Sequence, residues 1–144
     1  STPEHLTHKI FDAYWSGLAL WAPAMFDPKT KFDFGIMKSS QAEVMTKVLL
    51  CIFEEHESWA KLGTKIGDLT DKKTYFNLVK DAFANKNLDD TNGGGNKVYD
   101  RDCWRVGKAG SMGKYTNSAA KRDMKIRLFE IIKKELKKAN SAII

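Results

Sequence analysis

The stretch Ser40–Leu62, SQAEVMTKVLLCIFEEHESWAKL, is the longest strongly apolar segment of the chain, and it decides the fold. Ser40 followed three residues later by Glu43 fits a capping box, in which each side chain bonds the backbone N–H of the other residue. Apolar residues then recur at a helical spacing at positions Met45, Val48, Ile52, Trp59 and Leu62. A helix that is apolar on most sides normally lies at the centre of a small bundle. We therefore expect a central helix over residues 40–62.

The same spacing indicates three further helices, over residues 3–22, 70–85 and 117–139. Proline in the first turn begins the first helix, and Thr70 or Asp71 caps the third. Either Gly63 or Gly67 ends the central helix. The expected inner faces are Leu6, Ile10, Tyr14, Leu18 and Trp21 in the first helix, Tyr75, Phe76, Val79, Ala82 and Phe83 in the third, and Met124, Leu128, Ile131, Ile132 and Leu136 in the last.

These elements predict a mainly α fold, a small four-helix domain that is orthogonal or bundle-like. The residues 98–106 have strand propensity and predict an irregular or short β-hairpin lobe before the last helix. The whole chain, 1–144, fits a single domain. Within it, three consecutive glycines in the segment 89–97 resist helix formation because glycine loses the most backbone entropy on ordering. We expect a flexible hinge there, between a neutral or acidic body and a basic C-terminal segment.

Composition limits the class of protein. An apolar content of 42% and a charged content of 29% are ordinary for a soluble globular chain. No apolar run approaches the roughly 18–20 residues that span a bilayer, and the N-terminal residues have no signal-peptide pattern. Two cysteines make no disulfide framework, and Cys51 is expected to be a buried thiol. We therefore predict a cytoplasmic protein with no membrane partner.

Positive charge is concentrated in the last third of the chain. From Lys97 onward there are 13 Lys+Arg against 5 Asp+Glu, a net charge of +8, whereas the first 96 residues carry a net charge of −2. Such segregation favours an anionic partner for the basic segment, although a solvated lysine-rich helix has the same composition.

The segment Arg105–Arg122 interleaves glycines with lysines and hydroxyl residues and leads into the start of the last helix. Glycine lets backbone N–H groups approach an oxyanion, and a helix N-terminus and lysines add positive charge. The spacing fits neither a P-loop nor a dinucleotide fingerprint. An aromatic side chain among these cations is able to stack a nucleobase. The predicted phosphate-binding residues are Arg105, Lys108, Lys114, Tyr115, Lys121, Arg122 and Lys125.

Other chemistries have weaker patterns. His5, His8 and His56 lack the spacing of known zinc or di-iron motifs, and the acidic loop from Asp89 departs from a calcium loop at two ligand positions. The sequence therefore predicts no metal site, no cofactor and no catalytic residue.

Three functions remain open at this stage. The first is a small nucleic-acid-binding protein, whose partner is DNA or RNA, contacted through its phosphate backbone. The second is a helical protein–protein interaction module, an adaptor or inhibitor, that uses its aromatic first helix or its apolar C-terminus. The third is a metal-dependent enzyme acting on nucleic acid or a phosphorylated substrate, with Asp100, Asp102 and Asp123 as the acids nearest the loop.

Overall fold

The structure, a computed structural model, describes residues 4–23, 26, 39–84 and 118–141. These residues form four α-helices and no strand: α1 (Glu4–Trp21), α2 (Ser39–Lys61), α3 (Lys72–Phe83) and α4 (Ser118–Ser141). The mainly α prediction is confirmed, and each helix begins and ends within two residues of the expected bounds. The hairpin lobe at 98–106 and the hinge at 89–97 lie outside the described residues.

Two of the helix ends follow from single residues. The Asp71 carboxylate accepts a hydrogen bond of 2.9 Å from the backbone N–H of Lys73, which makes it the N-cap of α3. At the end of α2, Gly63 has a φ of 87°. The N–H of Gly63 donates to the carbonyl of Ala60 at 3.1 Å, and that of Thr64 to the carbonyl of Trp59 at 2.8 Å. This pair of bonds is a Schellman motif, so Gly63 ends the helix as predicted.

Helices α1 and α3 approach each other closely at Gly17. A Cβ placed on that residue would lie 2.5 Å from the carbonyl oxygen of Lys72 and 2.8 Å from the Cβ of Tyr75. Only a residue without a side chain permits this approach. Helix α3 also packs against α4, and α4 packs against α2. Helix α3 therefore links α1 to the α2/α4 pair.

The core lies between all four helices. Its most enclosed large side chains are Tyr14, Leu18, Met45, Ile52, Tyr75, Phe83, Leu128 and Ile132. The Tyr14 hydroxyl donates to the carbonyl of Met45 at 2.6 Å, which joins α1 to α2. Burial, followed by the neighbouring Tyr75, raises the pKa of Tyr14 well above its ordinary value, so this hydroxyl stays protonated as a donor.

The expectation that α2 is covered on most sides is confirmed only in part. Leu62, assigned to the inner face, is 81% exposed, and Leu50 is 54% exposed. The inner face is buried as predicted, at Val44, Met45, Val48, Leu49 and Ile52. Leu50 instead lies at the edge of open grooves toward α1 and α4, and Leu62 follows the end of the helix. Apolar periodicity marks residues on one helical face without showing whether another helix covers them.

Helices α2 and α4 run in the same general direction. Glu43, near the start of α2, contacts Lys121 near the start of α4, and Trp59 stacks on Phe129 with ring centroids 5.8 Å apart. The Lys133 ammonium lies over the ring of Phe129, 5.1 Å from its centroid. The Glu43–Lys121 and Trp59–Phe129 contacts hold the two helices beside each other, whereas the Lys133–Phe129 contact lies within α4.

Candidate nucleic-acid interface

Most of the cations of α4 lie on two flanks of the helix. Each residue turns the helix by about 100°, so the buried stripe of Met124, Leu128 and Ile132 fixes the direction of every other side chain. One flank carries Arg122, Lys125 and Lys133, and the opposite flank carries Arg127, Lys134 and Lys138. The exposed acids Asp123 and Glu130 lie between the flanks. Two cations lie elsewhere: Lys137 lies between the flanks with the two acids, and Lys121 lies beside the buried stripe. Most of the positive charge is therefore divided between two surfaces.

The first flank faces α2 across an open cleft of about 430 Å³. Three cations, one acid, one hydroxyl, one thiol and one apolar side chain line this α2/α4 cleft: Lys47, Arg122, Lys125, Glu54, Ser118, Cys51 and Leu50. The formal charge of these groups favours an anion, because the cations outnumber the acid by two. Leu50 gives the cleft an apolar wall.

Two of the cleft's cations have no acidic partner among the described residues. In the part of the chain that the structure describes, neither Arg122 nor Lys125 has an ion pair or a hydrogen-bond partner for its charged group. Lys125 is half-buried beside the cleft, and Arg122 is exposed. Both were predicted from the sequence as phosphate ligands, and the structure brings them together with Lys47.

Unlike Arg122 and Lys125, Lys121 forms an ion pair with an acid of α2. Its Nζ lies 2.6 Å from Oε2 of Glu43, while Nζ of Lys47 lies 3.6 Å from the other oxygen of the same carboxylate. The hydrogen bond from Lys121 is the main reason that the pKa of Glu43 is lowered. Glu43 therefore joins α2 to α4. The positive charge of Lys121 is partly balanced by Glu43.

The Cys51 thiol also belongs to the cleft. The sequence predicts a buried core thiol, but Cys51 is only half-buried and lines the cleft beside Leu50. Burial raises its pKa, and the nearby positive charge of Lys125 opposes that rise. The thiol is therefore mainly protonated at neutral pH and accessible from the cleft.

The remaining predicted ligands, Arg105, Lys108, Lys114 and Tyr115, lie outside the described residues, as do Asp100 and Asp102. Asp123 is exposed on α4, between its two basic flanks. Among the described residues, no group of three or more His, Cys, Asp or Glu side chains is placed to hold a metal ion.

A second, apolar surface lies between α1 and α2. Two cavities of about 180 and 360 Å³ open there. Their walls are formed by Thr7, Ile10, Phe11, Trp15, Phe26, Ala42, Thr46, Leu49, Leu50 and Phe53. The buried indole N–H of Trp15 meets no acceptor within the described ranges. This α1/α2 groove is almost entirely apolar, in contrast to the α2/α4 cleft.

No protein-family model, curated protein or solved structure matches the chain. The site must therefore be interpreted from its own geometry. None of the helices in the described ranges is long and apolar enough to cross a membrane.

Sequence reasoning missed Lys47 as part of the site, because its i,i+4 spacing from Glu43 is sufficient to explain it as a helix-stabilising pair. It also missed Leu50 and Cys51 as cleft residues. The unbroken apolar run Val48–Phe53 assigns both to the core, and only the position of α4 shows that they face a cleft.

Proposed function

We propose that this protein binds nucleic acid through phosphate contacts made by the Arg122, Lys125 flank of α4, together with the glycine- and lysine-rich segment that precedes the helix. The observation that carries the proposal is a pair of cations, Arg122 and Lys125, which have no ion pair with any described residue and line the same cleft as Lys47. A cation without an acidic partner is available to a phosphate at no cost of breaking an ion pair.

Phosphate contacts of this kind supply affinity without sequence preference. Each lysine or arginine that neutralises a phosphate releases a condensed counterion, so affinity falls as salt rises. Base edges are not read by such contacts. The proposed activity is therefore salt-sensitive binding with little sequence specificity, and both DNA and RNA are suitable partners.

The test uses two double variants that change the charge of the same helix by the same amount. Arg122→Gln with Lys125→Gln neutralises the flank facing the cleft, and Arg127→Gln with Lys134→Gln neutralises the opposite flank. Each lowers the net charge from +6 to +4. Fluorescence anisotropy of labelled single- and double-stranded oligonucleotides, at low salt, measures binding. We expect the first variant to bind at least about tenfold more weakly than the second, since each charge-assisted contact is worth about 1.5–3 kcal/mol.

Two results would contradict the proposal. The first is no binding of any oligonucleotide by the unmodified protein at low salt. The second is an equal loss in the two variants, which would indicate attraction by net charge alone rather than contacts on the cleft flank.

A specific observation also favours a protein–protein interaction module as a second candidate. The α1/α2 groove is apolar, and Phe11, at its edge, is 44% exposed. Exposed apolar patches on soluble proteins mark interaction sites, and a groove between two helices suits an amphipathic helix of a partner. The test is a complex between this protein and a partner protein that survives nuclease treatment. Loss of that complex in Phe11→Ser, but not in Arg122→Gln with Lys125→Gln, would support this candidate. A complex lost in the second variant alone would exclude the groove as its site.

A further inference from the structure

The α2/α4 cleft differs from a surface that only neutralises phosphates. It is concave, and it is lined by Leu50 and Cys51 together with three cations, Lys47, Arg122 and Lys125, and one acid, Glu54. A phosphate contact alone requires no apolar wall, whereas a base requires one. The volume of about 430 Å³ falls within the roughly 300–1,000 Å³ of sites that take small organic ligands.

The arrangement of these groups matches the parts of a nucleotide. Unpaired bases are held by apolar and aromatic side chains and by the planes of arginine guanidinium groups, while basic side chains follow the backbone. Leu50, 54% exposed, offers the apolar contact, and Arg122 offers both a planar face and a charge. Lys47 and Lys125, from the two facing helices, supply the remaining charges.

Duplex nucleic acid does not present these parts together. Its bases are stacked inside the helix, so a side chain in a cleft reaches a base only after the base has left the stack, at a cost of a few kcal/mol. In a single strand this cost is smaller, because the base is not paired. The charged groups attract both forms, so Leu50 is the group of the cleft that would favour a single strand over a duplex.

We propose that the α2/α4 cleft holds one unpaired nucleotide of a single strand, with the base against Leu50 and its phosphates on Lys47, Arg122 and Lys125. This inference rests on the proposed nucleic-acid binding and adds the form of the ligand. It makes single-stranded DNA or RNA the preferred partner over the duplex of the same sequence.

Cys51 provides a local reporter for the test. In a Cys103→Ser background, Cys51 is the only thiol of the chain, and it lines the cleft beside Leu50. Its rate of alkylation by a maleimide reports whether the cleft is filled, while anisotropy of a labelled oligonucleotide reports whether the protein binds at all. With a single strand at about ten times its Kd, we expect alkylation to slow about tenfold, because about one site in ten stays free. The duplex of that sequence, at the same concentration, should leave the rate nearly unchanged.

A matched pair of variants tests the base contact itself. Leu50→Ser removes the apolar wall, and Leu20→Ser makes the same substitution on α1 at a similar exposure, 49% against 54%, away from the cleft. Both positions are exposed, so both variants should remain folded, which circular dichroism checks. We expect Leu50→Ser to weaken single-strand binding several-fold and duplex binding little, with Leu20→Ser unchanged in both.

The possible failures are distinguishable. If no oligonucleotide changes the anisotropy at low salt, the proposed function itself is wrong, and this inference with it. If oligonucleotides bind but do not protect Cys51, or if the duplex protects it equally, only the inference is wrong. Protection by a free mononucleotide as strong as that by the strand would also overturn it, because the cleft would then be a site for a soluble nucleotide.

Discussion

At the scale of single residues, Gly17 sets the distance between α1 and α3. Alanine normally stabilises a helix interior over glycine by about 0.5–1 kcal/mol. Here the added Cβ would lie 2.5 Å from the backbone oxygen of Lys72, an atom that cannot move without displacing α3. We therefore expect Gly17→Ala to lower the free energy of unfolding by about 1–3 kcal/mol, as overpacking does. Urea denaturation followed by circular dichroism measures the change.

The matched control for this prediction is Ser16→Ala, one residue earlier on the exposed side of α1. This variant tests the helix preference of alanine without the close contact made at Gly17. The midpoint of urea denaturation should stay unchanged or rise slightly. If Gly17→Ala instead stabilises the protein as much as Ser16→Ala does, α1 and α3 are not held at the distance described here.

Glu43 predicts a pH effect at the same scale. Its pKa is lowered, chiefly by the hydrogen bond from Lys121, so its charged form is favoured more in the folded than in the unfolded protein. The stabilisation is present above the ordinary glutamate value of 4.5 and is lost as pH falls through the lower folded pKa. We expect wild type to exceed Glu43→Gln slightly in free energy of unfolding near neutral pH, with the two converging in acid.

The effect should be small, because the Glu43 side chain is 44% exposed and solvent screens the pair. Denaturation series at several pH values measure it. Glu57→Gln, an exposed glutamate on the same helix, serves as the control and should track wild type throughout. A constant difference between wild type and Glu43→Gln down to acid pH would show that the ion pair is not its cause.

At the scale of elements, the start of α3 depends on Asp71. Its carboxylate satisfies the N–H of Lys73, one of the donors left without a helical partner. Replacement of such a cap by alanine typically costs about 1 kcal/mol, so we expect Asp71→Ala to destabilise by that amount in urea denaturation. Asp71→Asn keeps an oxygen acceptor at the same place and should stay close to wild type. An equal loss in both variants would mean that charge, rather than capping, is responsible.

The existence of these helices was predictable because their signals are local. The Asp71 cap, the Gly63 ending and the buried faces of α3 and α4 depend on residues close in sequence. Their arrangement was not predictable in the same way. Gly17 carries no pattern that shows another backbone lies against it, and the exposed Leu62 fits the α2 periodicity as well as the buried Ile52 does.

The candidate site was also predictable only in its local part. The basic character of α4 is plain from composition, and Arg122 and Lys125 were predicted from it. Their grouping with Lys47 depends on α2 and α4 lying side by side, a contact between residues more than 70 positions apart in sequence, as in the Lys121–Glu43 pair. The sequence likewise does not show that Lys121 is paired with Glu43 while Arg122 has no acidic partner among the described residues.

At the scale of the whole molecule, the net charge of +6 attracts any polyanion, so affinity alone does not distinguish a general field from defined contacts. The salt dependence of the affinity does distinguish them.

For a single strand, log Kd changes with log salt by about 0.7 per neutralised phosphate. If Arg122 and Lys125 each contact a phosphate, Arg122→Gln with Lys125→Gln should reduce the slope by about 1.4. Arg127→Gln with Lys134→Gln, which has the same net charge, should keep a slope close to that of wild type. Anisotropy titrations over a range of salt concentrations supply both slopes, and equal slopes in the two variants would show that the cleft flank makes no phosphate contacts of its own.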